Sequence, residues 1–218
     1  MNSIKLAVVC AAFGALSATA SFGAIVSVTG PLSTLGVAPS IIAGPGVIID
    51  DTVTSTAMQG FDELQDVILP VDLAVDSGMI KAGRKVSSHM IFINNPGTEL
   101  LQHFEVVWTF ADKIIGVMSD RPGKLEDAST PILGLPGTTY PLPMFKNRGL
   151  ESNNGTGIDG DGYSVADNVL TIGMQVTQPG DWVRVVTAPV PVPAALPLLA
   201  GALAGLGLLR GRKAKTAA

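Results

Sequence analysis

The chain has little thiol, imidazole or aromatic chemistry to offer. Cysteine occurs once in 218 residues, at Cys10, so neither an intrachain disulfide nor a thiolate zinc cage can form. Histidine occurs twice, at His89 and His103, and any Ser-His-Asp relay or imidazole metal site has to use one of them. Neither sits in an HxH or HExxH spacing, and no GxSxG elbow is present. Aromatic residues make up 5 % of the chain, too few to furnish a sugar-stacking cleft readily.

What is present is concentrated at the two ends. Residues 1–20 read as a secretory signal peptide: Lys5 is the lone charge, residues 6–16 form a short apolar core, and Ala18-Thr19-Ala20 supplies a small-x-small cleavage site after Ala20. Cleavage after Ala24 is the second option, weakened by Phe22 at the −3 position. Val9 stands before Cys10 where a lipid-modification site needs a small residue, and Cys10 leaves with the leader. Twenty uncharged residues run from Val190 to Leu209 and are followed by Arg210, Arg212, Lys213 and Lys215. Pro191, Pro193 and Pro197 confine a continuous helix to about 194–209, roughly 24 Å at 1.5 Å per residue, which is thin for a permanent span. The basic tip is expected to stay cytoplasmic, placing the body on the far side of the membrane.

Val190-Pro191-Val192-Pro193-Ala194, then the Ala/Leu/Gly helix and the basic end, resembles the PEP-CTERM class of bacterial sorting signals, in the variant usually written VPLPA with Val192 in place of leucine. That resemblance implies recognition by an exosortase, an integral-membrane transpeptidase-like cysteine protease, and cleavage near the motif. It further implies passage through the secretion translocon and delivery to the surface or surroundings of a Gram-negative bacterium that makes extracellular polysaccharide. The body resembles a recurring group of exported bacterial proteins with such tails. The resemblance runs through Gly60-Phe61-Asp62-Glu63, Ser88-His89-Met90-Ile91-Phe92, Trp108-Thr109-Phe110, Gly116-Val117-Met118-Ser119-Asp120, Arg148-Gly149-Leu150-Glu151 and the stretch from Pro179 to Thr187. It implies an address and a fold, and no catalytic residues.

Between the ends, residues 21–188 carry nine basic and all eighteen acidic residues, a net charge of −9. Such a balance argues against nucleic acid or an anionic membrane surface as partner. Period-2 alternation dominates. In 103–111 it puts Phe104, Val106, Trp108 and Phe110 on one face and His103 on the polar one. In 168–177 it puts Leu170, Ile172, Met174 and Val176 together. Residues 86–93 and 182–187 are more densely apolar and read as more buried strands. Asn95-Pro96-Gly97, Arg121-Pro122-Gly123 and Gln178-Pro179-Gly180-Asp181 place Pro-Gly as type II turns need it. The expectation is an all-β domain, an antiparallel β-sandwich of about 7–9 strands, with an enclosed barrel as the alternative that no period enforces. It has no amphipathic helix, at most a helical turn in 57–66, an arm or edge strand in 29–45, and an irregular Pro/Gly-rich stretch over 131–162.

The candidate chemistry is sparse. Gly155-x-Gly157-x-Asp159 followed by Asp161 matches part of a calcium-binding nonapeptide, but only one copy is present and no EF-hand spacing follows. Asp159 and Asp161 are therefore the calcium candidates, with a flexible acidic loop as the plainer reading; no cofactor is called for. Asp62, Glu63 and Asp66, with Asp50 and Asp51 upstream, are the candidates for a glycosidase carboxyl pair, and solvated charges are the expected account of them. The histidines are expected to be satisfied strand residues. The sequence thus reads as a non-enzymatic exported protein, held by its 189–218 segment in the inner membrane with its body in the periplasm until processing. Its role is then structural or adhesive at the surface; the alternative is a surface carbohydrate-binding or carbohydrate-active protein using acids in 131–162.

Overall fold

A computed structural model describes residues 24–49, 52–95, 97–141, 147–151, 160–178 and 180–188. The strands are β1 (Ile25–Thr29), β2 (Ser40–Ile41), β3 (Gln59–Asp62), β4 (Val67–Ile68), β5 (Leu73–Val75), β6 (Gly78–Ile80), β7 (Lys85–Ile93), β8 (Leu101–Phe110), β9 (Lys113–Met118), β10 (Gly162–Ala166), β11 (Val169–Val176) and β12 (Asp181–Ala188); one helix, α1, spans Lys124–Leu133. The fold is thus mostly β. Twelve strands stand against the seven to nine read from the sequence because β2, β4, β5 and β6, of two or three residues each, are too short to show a period.

Four strands form one antiparallel sheet in the order β1-β8-β11-β10. The second sheet runs β2-β3-β7-β12-β9 with β4 also on β7, antiparallel except for the β2–β3 pair. The two share one core: Val106, Trp108, Phe110, Leu170 and Ile172 from the first meet Ile91, Ile93, Val183 and Val185 from the second. The back of the second sheet is covered too. Trp182, Phe92 and Met90 pack with Phe61, Ile48 and Tyr140, while Val186 and Val86 pack with Leu133 of α1 and with Leu73, Val75 and Ile80 of the β5–β6 hairpin. Burial on both faces explains why β7 and β12 read as dense apolar runs while β11 alternates.

Helix α1 corrects the expectation of an all-strand body. Asp120 caps it from three residues upstream of Gly123, its two carboxylate oxygens accepting the Lys124 and Leu125 N–H groups at 2.9 Å each. Glu126 and Asp127 lie in the first turn, where negative charge suits the helix dipole. Residues 57–66 hold β3 rather than a helical turn, and the 29–45 stretch supplies the end of β1 and the edge strand β2. The turns differ in detail: Gly180 has the positive φ of 98° that its turn requires, but Gly97 has none, and the Gly123 N–H closes on Asp120 O at 2.6 Å, one residue earlier than expected.

The alternation expected for β8 slips by one residue in mid-strand. Glu105 adopts φ 55°, and the pairing with β11 shifts between Ile172 and Met174, so Phe104 and Glu105 form a bulge. Val106, Trp108 and Phe110 face the core as expected; before the bulge it is Leu101 and His103 that turn inward, and Phe104 that turns out. The Trp108 indole packs against Gly60 of β3, where an added Cβ would stand 2.5 Å from Cζ3. Gly60→Ala therefore forces a fully buried indole to move. The overpacking cost, less what the freer glycine loses on folding, comes to a net loss of about 1–2 kcal/mol. A lower urea midpoint checks this, and an unchanged midpoint means the ring has room.

The ends of the described core leave together. Ala24 O accepts the Ala111 N–H at 2.9 Å, and Ala188 pairs with Lys113. Both ends thus flank the β8–β9 hairpin at one pole. The opposite pole, roughly 25 Å away along β12 at 3.3 Å per residue, is built from the start of β8, the end of β11 and the start of β12.

Candidate functional site

The most extensive polar assembly lies behind β12, under α1. Arg184, in the middle of that strand, is fully buried. Its Nε and Nη2 donate to Glu63 Oε2 and Oε1, both at 2.7 Å, and its Nη1 donates to Glu126 O at 2.6 Å and to Ser129 Oγ at 2.5 Å. Glu63 also accepts the Ser88 and Tyr140 hydroxyls at 2.6 Å. Arg148 Nη2 stands 3.0 Å from Glu126 Oε2 and donates to Gly123 O at 2.8 Å. Burial pulls the Arg184 pKa down, but the charges of Glu63 and Glu126 outweigh it and hold the guanidinium ionised. Burial pushes Glu126 up against the pull of Arg184 and Arg148, and burial beside Glu63 pushes Tyr140 up as well. Glu63, Glu126, Arg148 and Arg184 are each 3 % exposed or less, so the assembly joins α1, β12, Glu63 at the end of β3, Tyr140 and Arg148 without facing solvent.

The expectation of solvated charges fails at Glu63 for this reason. Its neighbour Asp62 points the other way, as consecutive strand residues do, and accepts the Ile25 N–H at 2.9 Å. Asp66 pairs at the surface with Lys85 at 3.0 Å. The three acids therefore do not converge on one cleft, and Asp50 and Asp51 lie outside the described residues.

Both histidines are buried and bonded. His103, expected on a polar face, is turned inward by the bulge; its Nδ1 accepts the Met58 N–H and its Nε2 donates to Pro31 O, each at 3.0 Å. That fixes a neutral ring, and burial keeps its pKa below the ordinary value. His89 joins Asp62 through Nδ1 at 2.7 Å and the Thr187 hydroxyl through Nε2 at 3.2 Å. This has the connectivity of a carboxylate–imidazole–hydroxyl relay, but His89 and Thr187 are both fully covered and line neither of two cavities found on the surface.

One of those cavities, about 400 Å³, opens between the edge strands β9 and β10, with Tyr163 as its aromatic lining residue. The other carries more charge. At the pole away from Ala24 and Ala188, Arg121, Glu151, Gln175, Thr177, Gln178 and Asp181 border a polar cavity of about 190 Å³, and no aromatic ring is among its described lining residues. Gly180, held at positive φ where an added Cβ would stand 2.5 Å from Ile93 O, turns the chain so that Asp181 enters β12 with 4 % exposure. Asp161 lies against both other acids. Its Oδ2 accepts the Glu151 N–H at 2.7 Å and its Oδ1 the Gln175 N–H at 3.2 Å. Burial, then contact with Glu151, pushes Asp161 up to about 7. Burial, then the charges of Asp161 and Glu151, pushes Asp181 well above the usual carboxylate range. Arg121 reaches Glu151 at 3.4 Å from an exposed position.

Of the residues singled out from the sequence, Asp161 is thus part of a cluster, while Asp159 lies outside the described residues. So do Ala18 and Ala20 of the leader, the motif Val190, Pro191, Val192, Pro193 and Ala194, the helix over 194–209, and Arg210, Arg212, Lys213 and Lys215. No helix among the described residues is long and apolar enough to cross a membrane. Sequence reasoning missed Glu151 and Asp181; the available signal was an acid directly after Pro179-Gly180, at the mouth of a strand too apolar to expose it. A scan of family models, a search of curated proteins and a search of solved structures each return no match to this chain.

Proposed function

We propose that the chain is an exported protein sorted to the cell surface or extracellular matrix by an exosortase-type protease, with a structural or adhesive role and no catalytic activity. On this reading the two main sheets constitute an antiparallel β-sandwich carried between a cleaved leader and a C-terminal sorting segment. The observation that carries it is the order of motif, uncharged stretch and basic tip from Val190 to Lys215. The fold supports it: the described core begins and ends at one pole, with Ala24 bonded to Ala111 and Ala188 paired with Lys113. A domain held at a membrane by its tail would stand on that pole and turn the other one outward.

The test is a doubly tagged chain, with one epitope just before Pro189 and one after Lys215. In exosortase-bearing cells the two tags are expected to separate, the C-terminal tag being lost from mature protein whose N-terminus is Ser21. Both tags persisting on one membrane-embedded chain would leave a plain anchor instead.

A further inference from the structure

We propose that copies of this chain assemble edge to edge, all in one orientation, into a row in which each sheet continues into its neighbour's. The inference goes beyond sorting and does not depend on it. Among the described residues, β1 and β10 end the first sheet and β2 and β9 end the second. β1 and β2 lie side by side at one lateral edge, and β9 and β10 flank a cavity at the other. Open strand edges are ordinarily blunted by charge. Here Ile25–Thr29, Ser40–Ile41 and Gly162–Ala166 contain none, and residues 21–49 carry no charge at all in a body of net charge −9.

Side chains at both edges lack cover. Val165 of β10 is in register with Leu170 and, through it, with Trp108 and Val28, a row whose side chains share the face toward the core. Trp108 and Leu170 are fully buried, yet Val165 is 43 % exposed. It stands at the mouth of the 400 Å³ cavity that it lines with Ile114, Val117 and Tyr163. At the other edge Val26 and Ile41 are 60 % and 42 % exposed. Ile42 packs on the back of the second sheet, so Ile41 points the opposite way, toward the space between the sheets.

Strand direction selects a second copy as the partner. Pairing in the first sheet is antiparallel throughout, so β10 runs toward the Ala24–Ala188 pole and β1 away from it. In the second sheet β9 runs away from that pole and β2 toward it, because the path from β2 to β9 contains one parallel pair, β2–β3. A copy displaced sideways without turning over therefore offers β1 to β10 and β2 to β9, and both pairs are antiparallel. The same displacement brings Ile41 of one copy to the cavity beside Val165 of the next. A free peptide strand satisfies one sheet; a copy of the chain satisfies both. Two acidic bodies repel over most of their surfaces, and the charge-free edges are where they can meet. The contact is heterologous, so it builds an open row rather than a closed pair, and every copy keeps its Ala24–Ala188 pole on one side.

Cysteine cross-linking of the full-length chain tests this, with Cys10→Ser removing the native thiol. Ser27 and Ala166 are exposed and lie in one row through Thr109 and Val169, so a straight continuation of the sheet sets Ser27 of one copy beside Ala166 of the next. Within one copy the two are about 14 Å apart across β8 and β11, beyond the reach of a short bismaleimide. With that reagent the double variant Ser27→Cys/Ala166→Cys is expected to give a ladder of dimers, trimers and higher rungs. A mixture of the two single variants is expected to stop at dimers, and each alone to stay monomeric. Val165→Lys and Ile41→Lys, placed separately on the double variant, are each expected to cut the ladder about tenfold, because a charge then enters an apolar seam. Both side chains are already part-exposed, so Tm is expected to stay close to that of the parent. A double variant that yields monomer alone would overturn the row. So would dimers from Ser27→Cys by itself, which mean a two-fold pair, or a ladder that neither lysine weakens, which puts the contact elsewhere.

Discussion

Replacing Arg184 with methionine is expected to lower stability by about 3–5 kcal/mol, because it strands the Glu63 carboxylate in a place water does not reach. Glu63 and Arg184 form two hydrogen bonds of 2.7 Å, and the same guanidinium holds Glu126 O and Ser129 Oγ of α1 against β12. Loss of the cation removes the guanidinium donor from both Glu63 oxygens and from Glu126 O, Ser129 Oγ and Thr130 Oγ1 of α1. The Ser88 and Tyr140 hydroxyls still reach Glu63, but two neutral donors do not replace a counter-charge. Adding Glu63→Gln to Arg184→Met is expected to restore at least half of the loss, since the amide oxygen still accepts Tyr140 and no charge remains to be balanced. Urea unfolding of wild type, both single variants and the double variant gives the coupling directly. If Arg184→Met costs under about 1 kcal/mol, water enters freely beneath α1 and the ion pair is not structural.

The strands that carry the core were legible because their period is simple: β11 alternates over its length, and β7 and β12 show the dense apolar and β-branched character of strands buried on both faces. β8 was legible from Val106 onward and not before it. A single residue in the left-handed region, Glu105, inverts the phase, and nothing in a glutamate announces that it will take φ 55°. α1 went unread for a related reason. Its apolar residues are few, Ser129, Thr130 and Pro131 lower its intrinsic propensity, and its cap is the carboxylate of Asp120 beyond Pro122 and Gly123, where the eye sees a turn.

The polar assemblies were hidden by sequence distance. Glu63 and Arg184 are 121 residues apart, and each acid or base looks like an ordinary surface charge until the sheets assemble. Arg184 alone gave a clue, as a lone cation inside Trp182-Val183-Arg184-Val185-Val186. The same holds at the far pole, where Asp161 was picked out for its glycine neighbours and the partners that matter, Glu151 and Asp181, arrive from other segments.

Asp181→Asn is expected to stabilise the protein at pH 7, by a margin that shrinks as pH falls toward 4. The sign follows from proton linkage. The folded pKa of Asp181 lies well above the value of 3.8 that the unfolded chain presents, so between those two values the folded state binds the proton that the unfolded state has released. Stability therefore falls as pH rises through that window and is fully present only below the unfolded pKa. Asp161, raised to about 7, adds a slope of the same sign between about pH 4 and 7, as do Glu126 and Asp76, both raised by burial. These carboxyls favour the folded state on mild acidification, against the opposite slope of buried His103, whose depressed pKa costs stability as pH falls below about 6.5. Asparagine at 181 keeps the shape, cannot ionise, and has an N–H₂ to offer the Asp161 carboxylate. It removes the contribution of that residue to the slope together with the cost of an acceptor that no donor meets. Guanidinium melts of wild type and Asp181→Asn at pH 4, 5.5 and 7 in EDTA decide the matter. Parallel curves would show that Asp181 titrates alike in both states, and a variant less stable than wild type at pH 7 would show that its carboxylate is bonded in solution.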